Sequence, residues 1–151
     1  MDIIQVNGSH KDFESLCRAL EEFQYNLLPV LKENEDYILT DNLDSITGLI
    51  LYINKKPVGS IGLKAISKDT CEIVRVFVHS EHRGNGYAKI LFEKIESLAK
   101  KLGYKKAEMV AWCEAKPALS LYKKLGYTFS EEKISEWYGG NKYVELYKTL
   151  D

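Results

Sequence analysis

Residues 83–88, Arg-Gly-Asn-Gly-Tyr-Ala, are of types that suit the binding of a phosphate group. The segment before them, 71–78, is rich in β-branched and aromatic residues, which predicts a buried strand. After them, apolar residues recur at helical spacing: Ala88, Leu91, Phe92, Ile95, Leu98, Ala99 and Leu102. The glycines therefore lie at a helix N-terminus, whose free N–H groups and partial positive charge attract anions. Together with the cation of Arg83, this arrangement predicts a pyrophosphate-binding loop.

Two other phosphate-binding patterns do not occur in the sequence. There is no Gly-x-x-x-x-Gly-Lys-Ser/Thr run, and Lys89 stands at the last position of a Gly-x-Gly-x-x-Gly fingerprint. These observations exclude a P-loop and the dinucleotide fingerprint. An ordinary tight turn from strand to helix stays open as a structural alternative.

Glu72 is the only acidic residue in the predicted strand 71–78. Because a buried carboxylate is costly unless it is paired or hydrated, we expect Glu72 to face a solvated cleft. There it would act as a general base, directly or through a water. The alternative is an ion pair with Arg75 or with a lysine of a neighbouring strand. Strand alternation places Glu72 with Val74 and Val76, and not with Arg75, unless a bulge intervenes.

Two sequence blocks together resemble a known family. Arg83-x-x-Gly86-x-Ala88 resembles the Arg/Gln-x-x-Gly-x-Gly/Ala signature of the GNAT superfamily of N-acetyltransferases. The block from Ala118 to Tyr127 resembles the Ala-x-x-Leu-Tyr-x-Lys-x-Gly-Phe/Tyr helix of that family. The two blocks come in the family's order and cover roughly residues 70 to 130, so the chain is identified as a member of the superfamily.

The resemblance implies an α/β (α+β) fold and a site for acyl-CoA. The fold is a mixed, mostly antiparallel central β-sheet with a splayed pair of parallel strands, flanked by about four helices. Backbone groups at the splay bind the pantetheine arm, and the glycine loop binds the pyrophosphate. The implied cofactor-binding residues are Val76, Phe77, Val78, Arg83, Gly84, Asn85, Gly86, Tyr87 and Ala88.

Tyr122 stands at the position of the family's acid tyrosine, which gives a proton to the departing thiolate. With a reference pKa near ~10, its phenol stays protonated at neutral pH. The alternative is that the ring of Tyr122 only packs beneath the end of the helix. One residue departs from the family pattern: Ala115 stands seven residues before the tyrosine, where Asn or Gln often contacts the CoA arm.

The implied activity is direct transfer of an acetyl (acyl) group from acetyl-CoA to a primary amine. Ala115 supports an alternative, a catalytically silent domain that binds or senses acyl-CoA. A nucleotide-binding module that uses the glycine loop is a third hypothesis. The acceptor, a small-molecule or peptide amine, stays open. Its selectivity is expected in the first helix, in 32–44 and in 137–141, where Glu33, Glu35 and Asp36 either attract a cationic amine or are solvated.

Composition limits the other classes of function. The 151 residues suit one domain, 1–151, and a net charge of −1 with a pI near 6.3 favours neither nucleic acid nor an anionic membrane. No signal peptide and no apolar stretch long enough to span a membrane occur, so we expect a cytoplasmic protein. Whether it forms a homodimer is open. Three isolated cysteines and the pair His79 and His82 give no metal-ligand pattern, so we expect no metal and buried, reduced thiols.

The order of elements follows from periodicity and turn residues. We predict strands at 2–6, 46–54, 58–66, 71–78, 106–112, 127–134 and 142–149, and a first helix with Ser9 as its N-cap. A right-handed crossover makes 71–78 and 106–112 parallel. Lys-Lys-Leu-Gly-Tyr occurs at 100–104 and at 123–127, and each copy predicts a helix end with a left-handed glycine.

Overall fold

The computed structural model describes residues 1–33, 37–136 and 139–151. Five residues of the segments predicted for acceptor selectivity lie outside these ranges: Asn34, Glu35, Asp36, Trp137 and Tyr138. No helix of the described part is long and apolar enough to cross a membrane.

A mixed β-sheet runs through the molecule. Its strands are β1 (Asp2–Asn7), β2 (Thr47–Ile53), β3 (Lys56–Ala65), β4 (Thr70–Val78), β5 (Lys106–Trp112), β6 (Thr128–Phe129), β7 (Lys133–Ser135) and β8 (Asn141–Thr149). Their order in the sheet is β1-β2-β3-β4-β5-β8-β6, and β7 also pairs with β8. The pair β4/β5 is parallel and the other pairs are antiparallel. The predicted fold class, with its parallel pair, is confirmed.

Three α-helices flank the sheet in the described ranges: α1 (Lys11–Leu27), α2 (Tyr87–Lys101) and α3 (Lys116–Lys124). The expected fourth helix is represented by two short 3-10 turns, Pro29–Glu33 and Leu43–Ser45. The predicted single strand 127–134 is two strands, β6 and β7, which both pair with β8. Just after β6, the N–H of Ser130 donates to the carbonyl of Glu145 at 2.8 Å, and the Ser130 hydroxyl oxygen accepts the N–H of Glu145 at 2.9 Å.

Apolar side chains fill both faces of the sheet. Leu49 and Leu51 of β2 belong to the core that includes α2, whereas Ile50 belongs to the core that includes α1. Phe13 of α1 lies against Gly48, where an added Cβ would be 2.5 Å from the ring. The prediction that this strand is covered on both faces is confirmed.

Backbone hydrogen bonds close both Lys-Lys-Leu-Gly-Tyr helix ends in the same way. Gly103 and Gly126 have φ of 92° and 93°, and the following tyrosines donate their N–H groups to carbonyls five residues back. These are Schellman motifs, as predicted. The start of α1 differs from the prediction: His10, not Ser9, is the N-cap, because its Nδ1 accepts the N–H of Asp12 at 3.1 Å.

The parallel strands β4 and β5 separate after three residue pairs. Thr70, Cys71 and Glu72 pair with 106–108, and from there β5 continues to Trp112 alongside β8 only. The predicted splay is therefore present. It leaves the β5-facing edge of β4 without strand partners over its second half.

A bulge at Arg75 changes which residues of β4 face each side. Arg75 has a φ of 56°, and the pairing with β3 shifts register at this point. Ile73 and Val76 consequently both pack on the α2 side, while Val74 packs on the α1 side. Strand alternation would place Val76 on the face of Glu72 unless a bulge intervenes, and this bulge is that exception. Such a conformation costs roughly 1–3 kcal/mol for a residue with a side chain.

Candidate active site

A cavity of about 570 Å³ lies where β4 and β5 separate. Its walls come from α1, the end of β4, the glycine loop, and the segment from the end of β5 into α3. Of the eleven residues predicted for the site, nine line this cavity: Val76, Phe77, Val78, Arg83, Gly84, Gly86, Tyr87, Ala88 and Tyr122. Glu72 and Asn85 do not. The structure therefore brings most of the predicted residues together in one concave site.

The glycine loop presents an open helix N-terminus to the cavity. Gly86 is the N-cap of α2 and has no side chain to occupy the free N–H groups of the first turn. Gly84 and Gly86 have φ of 83° and 77°, and a Cβ added to either would meet no protein atom within 4 Å. The space in front of these N–H groups is thus empty, which suits an anion at the positive end of the helix.

Arg83 stabilises the loop and still offers donors to a ligand. Its Nε–H donates to the carbonyl of Val78 at 2.9 Å, and its guanidinium lies 4.5 Å from the ring centre of Phe23. Within the described ranges Arg83 forms no ion pair, so its other N–H groups are available to an anion. Asn85 instead turns away, donating its side-chain N–H to the carbonyl of His82 at 3.0 Å.

Tyr122 combines a buried ring with a hydroxyl that faces the cavity. The side chain is 8% exposed, its ring centre is 5.5 Å from that of Phe92, and burial raises the pKa of Tyr122 to about 12. Among the described residues none forms a hydrogen bond with its hydroxyl, yet no buried polar atom there is sealed without a partner. The hydroxyl oxygen is therefore open to the cavity and makes no hydrogen bond to the described residues.

Tyr127, five residues later, has the opposite environment. Its hydroxyl donates to Glu96 Oε2 at 2.9 Å, and Glu96 Oε1 accepts from Lys148 Nζ at 2.8 Å. Lys148 also donates to the carbonyl of Leu125 at 2.8 Å. This network joins α2, the end of α3 and β8, and burial together with Glu96 raises the pKa of Tyr127 strongly. It holds the helix end that carries Tyr122.

Glu72 lies outside the cavity of Tyr122. Its carboxylate is 3.5 Å from the ammonium of Lys64 on β3, the ion-pair alternative that the sequence left open. It lines a second cavity of about 420 Å³ together with Glu108 and Glu145. The structure thus does not bring the predicted acid and the predicted base together, and the base role of Glu72 stays a prediction.

Glu114 is a cavity carboxylate that the sequence analysis did not select. It lies two residues after the end of β5 and is the only carboxylate among the described residues that line the cavity of Tyr122. It forms no ion pair in the described part of the chain. The sequence signal that could have identified Glu114 is its position just after the strand predicted to splay from β4. Ala115, next to it, is the N-cap of α3 and supplies no side-chain cap.

The cysteines and histidines do not form a chemical centre. Cys17, Cys71 and Cys113 are buried and free, and burial raises the pKa of Cys17 and of Cys71 to about 11. The ring of His79 packs edge-on against Phe77 at 5.1 Å. Among the residues that the structure describes, no group of three potential ligands is placed to hold a metal ion.

Known proteins resemble this chain in sequence and in fold. The profile of the Acetyltransferase (GNAT) family matches residues 13–127. An uncharacterized N-acetyltransferase from Methanocaldococcus jannaschii is 33% identical over 91 residues, which cover 56% of this chain and 40% of that protein. The match thus spans less than half the length of this relative.

Two solved structures have the same fold over almost the whole chain. An aminoglycoside 6'-N-acetyltransferase complexed with coenzyme A has a TM-score of 0.75 at 14% identity, covering 100% of this chain and 98% of its own. The IAA acetyltransferase from Bacillus cereus has a TM-score of 0.70 at 19% identity, covering 99% of both chains. The fold of this chain is therefore the one found in these acetyltransferases. The chain belongs to the GNAT family of acetyltransferases.

The two tyrosines at the end of α3 give a matched test of this geometry. Tyr122→Phe should leave the free energy of unfolding nearly unchanged, because it removes a hydroxyl that makes no hydrogen bond to the described residues. Tyr127→Phe should lower it by about 1–3 kcal/mol, because Glu96 loses a donor in a largely buried place. Urea denaturation of both variants measures the difference. Equal losses would contradict the cavity-facing position of the Tyr122 hydroxyl.

Proposed function

We propose that this protein is an acetyl-CoA-dependent N-acetyltransferase that transfers the acetyl group directly to a primary amine. The observation that carries the proposal is the unpaired hydroxyl of Tyr122, directed into a cavity at the splay. Membership of the acetyltransferase family supports it, as does the coenzyme A complex of a neighbour with the same fold.

The walls of the cavity suggest which residues would hold acetyl-CoA. The open N-terminus of α2 and the guanidinium of Arg83 would bind the pyrophosphate. The unpaired edge of β4 from Val76 to Val78 would bind the amides of the pantetheine arm, as a neighbouring strand would. Acetyl-CoA supplies the thioester, and the chemistry of the chain is to orient it and to move protons.

The hydroxyl of Tyr122 would donate a hydrogen bond to the departing sulfur. With a pKa of about 12, its hydroxyl stays protonated throughout the physiological range. It is a weaker acid than an ordinary thiol, whose pKa is near ~8.5. Transfer of its proton to the thiolate is therefore uphill even when the sulfur carries its full charge. The role that fits this balance is a hydrogen bond that strengthens as the thiolate forms, with the thiolate protonated afterwards in equilibrium with water.

A carboxylate would accept the proton of the amine. Glu114 has the position for it, because it lines the same cavity as Tyr122 and has no cationic partner among the described residues. Glu72, the base predicted from the sequence, is the second candidate and would have to act through water from the neighbouring cavity. Its ion pair with Lys64 leaves fewer lone pairs free to accept a proton.

The acceptor is a small-molecule or peptide amine, and an acceptor screen identifies its class. Release of the CoA thiol would be followed with polyamines, amino acids, aminoglycosides and peptides with free N-termini. The competing hypothesis is a catalytically silent domain that binds acyl-CoA. It is favoured by Ala115, which lacks the amide of the Asn or Gln often found at this position. A silent domain would bind acetyl-CoA but release no thiol with any amine.

The loop can be tested by a pair of glycine substitutions. Gly86→Ala should weaken the binding of CoA about tenfold or more, because its Cβ enters the space in front of the helix N-terminus. Gly103→Ala is the control: it also has a positive φ and open space around it, but it lies outside the cavity. Titration calorimetry with CoA measures both. An equal loss in the two variants would remove the loop from the site.

Removal of the Tyr122 hydroxyl should affect chemistry and not binding. We expect Tyr122→Phe to lower kcat about 10²–10⁴-fold, the usual contribution of a general acid, with the affinity for CoA nearly unchanged. The measurement is steady-state thiol release alongside calorimetry. A Tyr122→Phe variant with the turnover of the wild type would contradict the assignment.

The dependence of the rate on pH distinguishes Glu114 from Glu72 as the base. Glu114→Gln should lower the rate at neutral pH about 10²–10⁴-fold. The loss should shrink at alkaline pH, where the amine is already deprotonated. Glu72→Gln should keep the profile of the wild type. If instead Glu72→Gln alone loses the neutral-pH rate, the base is Glu72, as the sequence predicts.

A further inference from the structure

Arg75 combines an unfavourable backbone conformation with two fixed hydrogen bonds. Its φ of 56° lies in the left-handed region, inside β4, where glycine fits without strain. The other described residues with a side chain and a positive φ are Asn42, Asn54 and Lys55, all outside strands. A strained residue within a strand needs surrounding contacts that hold it in place.

The backbone of Arg75 is held from β3. Ser60, which is fully buried, donates its hydroxyl to the carbonyl of Arg75 at 2.9 Å. The bond lies at the register shift between β3 and β4. It fixes the bulge that turns Val76 toward the α2 side, next to the edge of β4 that lines the cavity.

The side chain of Arg75 reaches the opposite side of the sheet. Its Nε–H donates to the carbonyl of Leu39 at 2.9 Å, and the N–H of Leu39 donates to Glu21 of α1 at 2.7 Å. We name residues 37–39 the strap. Leu39 thus binds the strap both to β4 and to α1. Because the guanidinium is charged, its bond to the carbonyl of Leu39 is a charge-assisted link.

The strap reaches from α1 across to β5. Tyr25 of α1 donates its hydroxyl to the carbonyl of Tyr37 at 3.1 Å, and Trp112, the last residue of β5, lies 3.4 Å from the Tyr37 hydroxyl. The stretch of α1 that holds the strap also supplies Leu20 and Phe23 to the cavity wall. The strap therefore spans the two strands on the α1 side of the splay.

We propose that Arg75 is a positioning residue that couples the strap to the backbone of β4 beside Val76. The α2 side of the splay is filled by core residues of α2 and α3, so an amine reaches the thioester from the side of the strap. Arg75 thereby holds the acceptor side and the acyl-CoA side of the cavity in one fixed relation. This inference rests on the proposed function for its consequence in catalysis, but not for the link itself.

The link is tested by Arg75→Gly, which keeps the backbone conformation without strain and removes only the side chain. Hydrogen exchange of peptides that contain the strap should become about tenfold faster or more, the scale of a lost charge-assisted hydrogen bond. Peptides of β2 should exchange as in the wild type. Arg75→Lys, which keeps a cationic donor, should restore part of the protection. Unchanged exchange in the strap would overturn the proposal.

The coupling is tested by adding acetyl-CoA to the same proteins. In the wild type, acetyl-CoA should slow exchange in the strap, and in Arg75→Gly this effect should be lost while calorimetry shows the same affinity. With an amine that the wild type acetylates, Arg75→Gly should raise KM for the amine and lower kcat, but leave KM for acetyl-CoA. Strap protection by acetyl-CoA in Arg75→Gly would refute the coupling. A wild type that binds no acetyl-CoA would instead refute the proposed function, while the exchange comparison without ligand still decides the link.

Discussion

The short parallel ladder between β4 and β5 is the constraint on which the rest of the site depends. Three residue pairs join the strands, and the ladder ends at Glu72 and Glu108. Beyond them β5 keeps its partner β8 on one side, so only the edge that faces β4 is released. Unpaired backbone groups are tolerated in a folded protein where water or a ligand can bind them. The splay is therefore both the opening of the cavity and the reason that an extended, amide-bearing ligand suits it.

Both sides of this opening are held by buried polar contacts. On the α2 side, the Schellman motif and the network of Tyr127, Glu96 and Lys148 fix the end of α3. On the α1 side, Ser60 and Arg75 fix the bulge of β4. Charged and polar groups in such places hold one geometry more specifically than apolar packing alone, because each has few partners that satisfy it. The cavity is thus held in shape by directional bonds and not by tight filling.

Local patterns in the sequence predicted the elements and the glycine loop. The spacing of apolar residues in 88–102 and the repeated Lys-Lys-Leu-Gly-Tyr motif report on structure within one element, where spacing determines position. The bulge at Arg75 was not predictable from alternation, because one inserted residue reverses every side chain after it. Glu72 lines a different cavity from Tyr122, whereas Glu114 lines the same one. Both placements depend on where β4 and β5 separate. That point is set by contacts between distant segments, which spacing along the chain does not report.

The three-pair ladder also gives the sheet a mechanical character. Strands β1–β4 and strands β5–β8 form two parts of the sheet, and the short β4/β5 ladder joins them at the closed end of the splay. A ladder of this length resists rotation of one part against the other less than a fully paired boundary would. A small rotation about it displaces the far ends of β4 and β5 most, by the geometry of a lever. The width of the cavity between the ends of β4 and β5 is therefore sensitive to small rearrangements of the core.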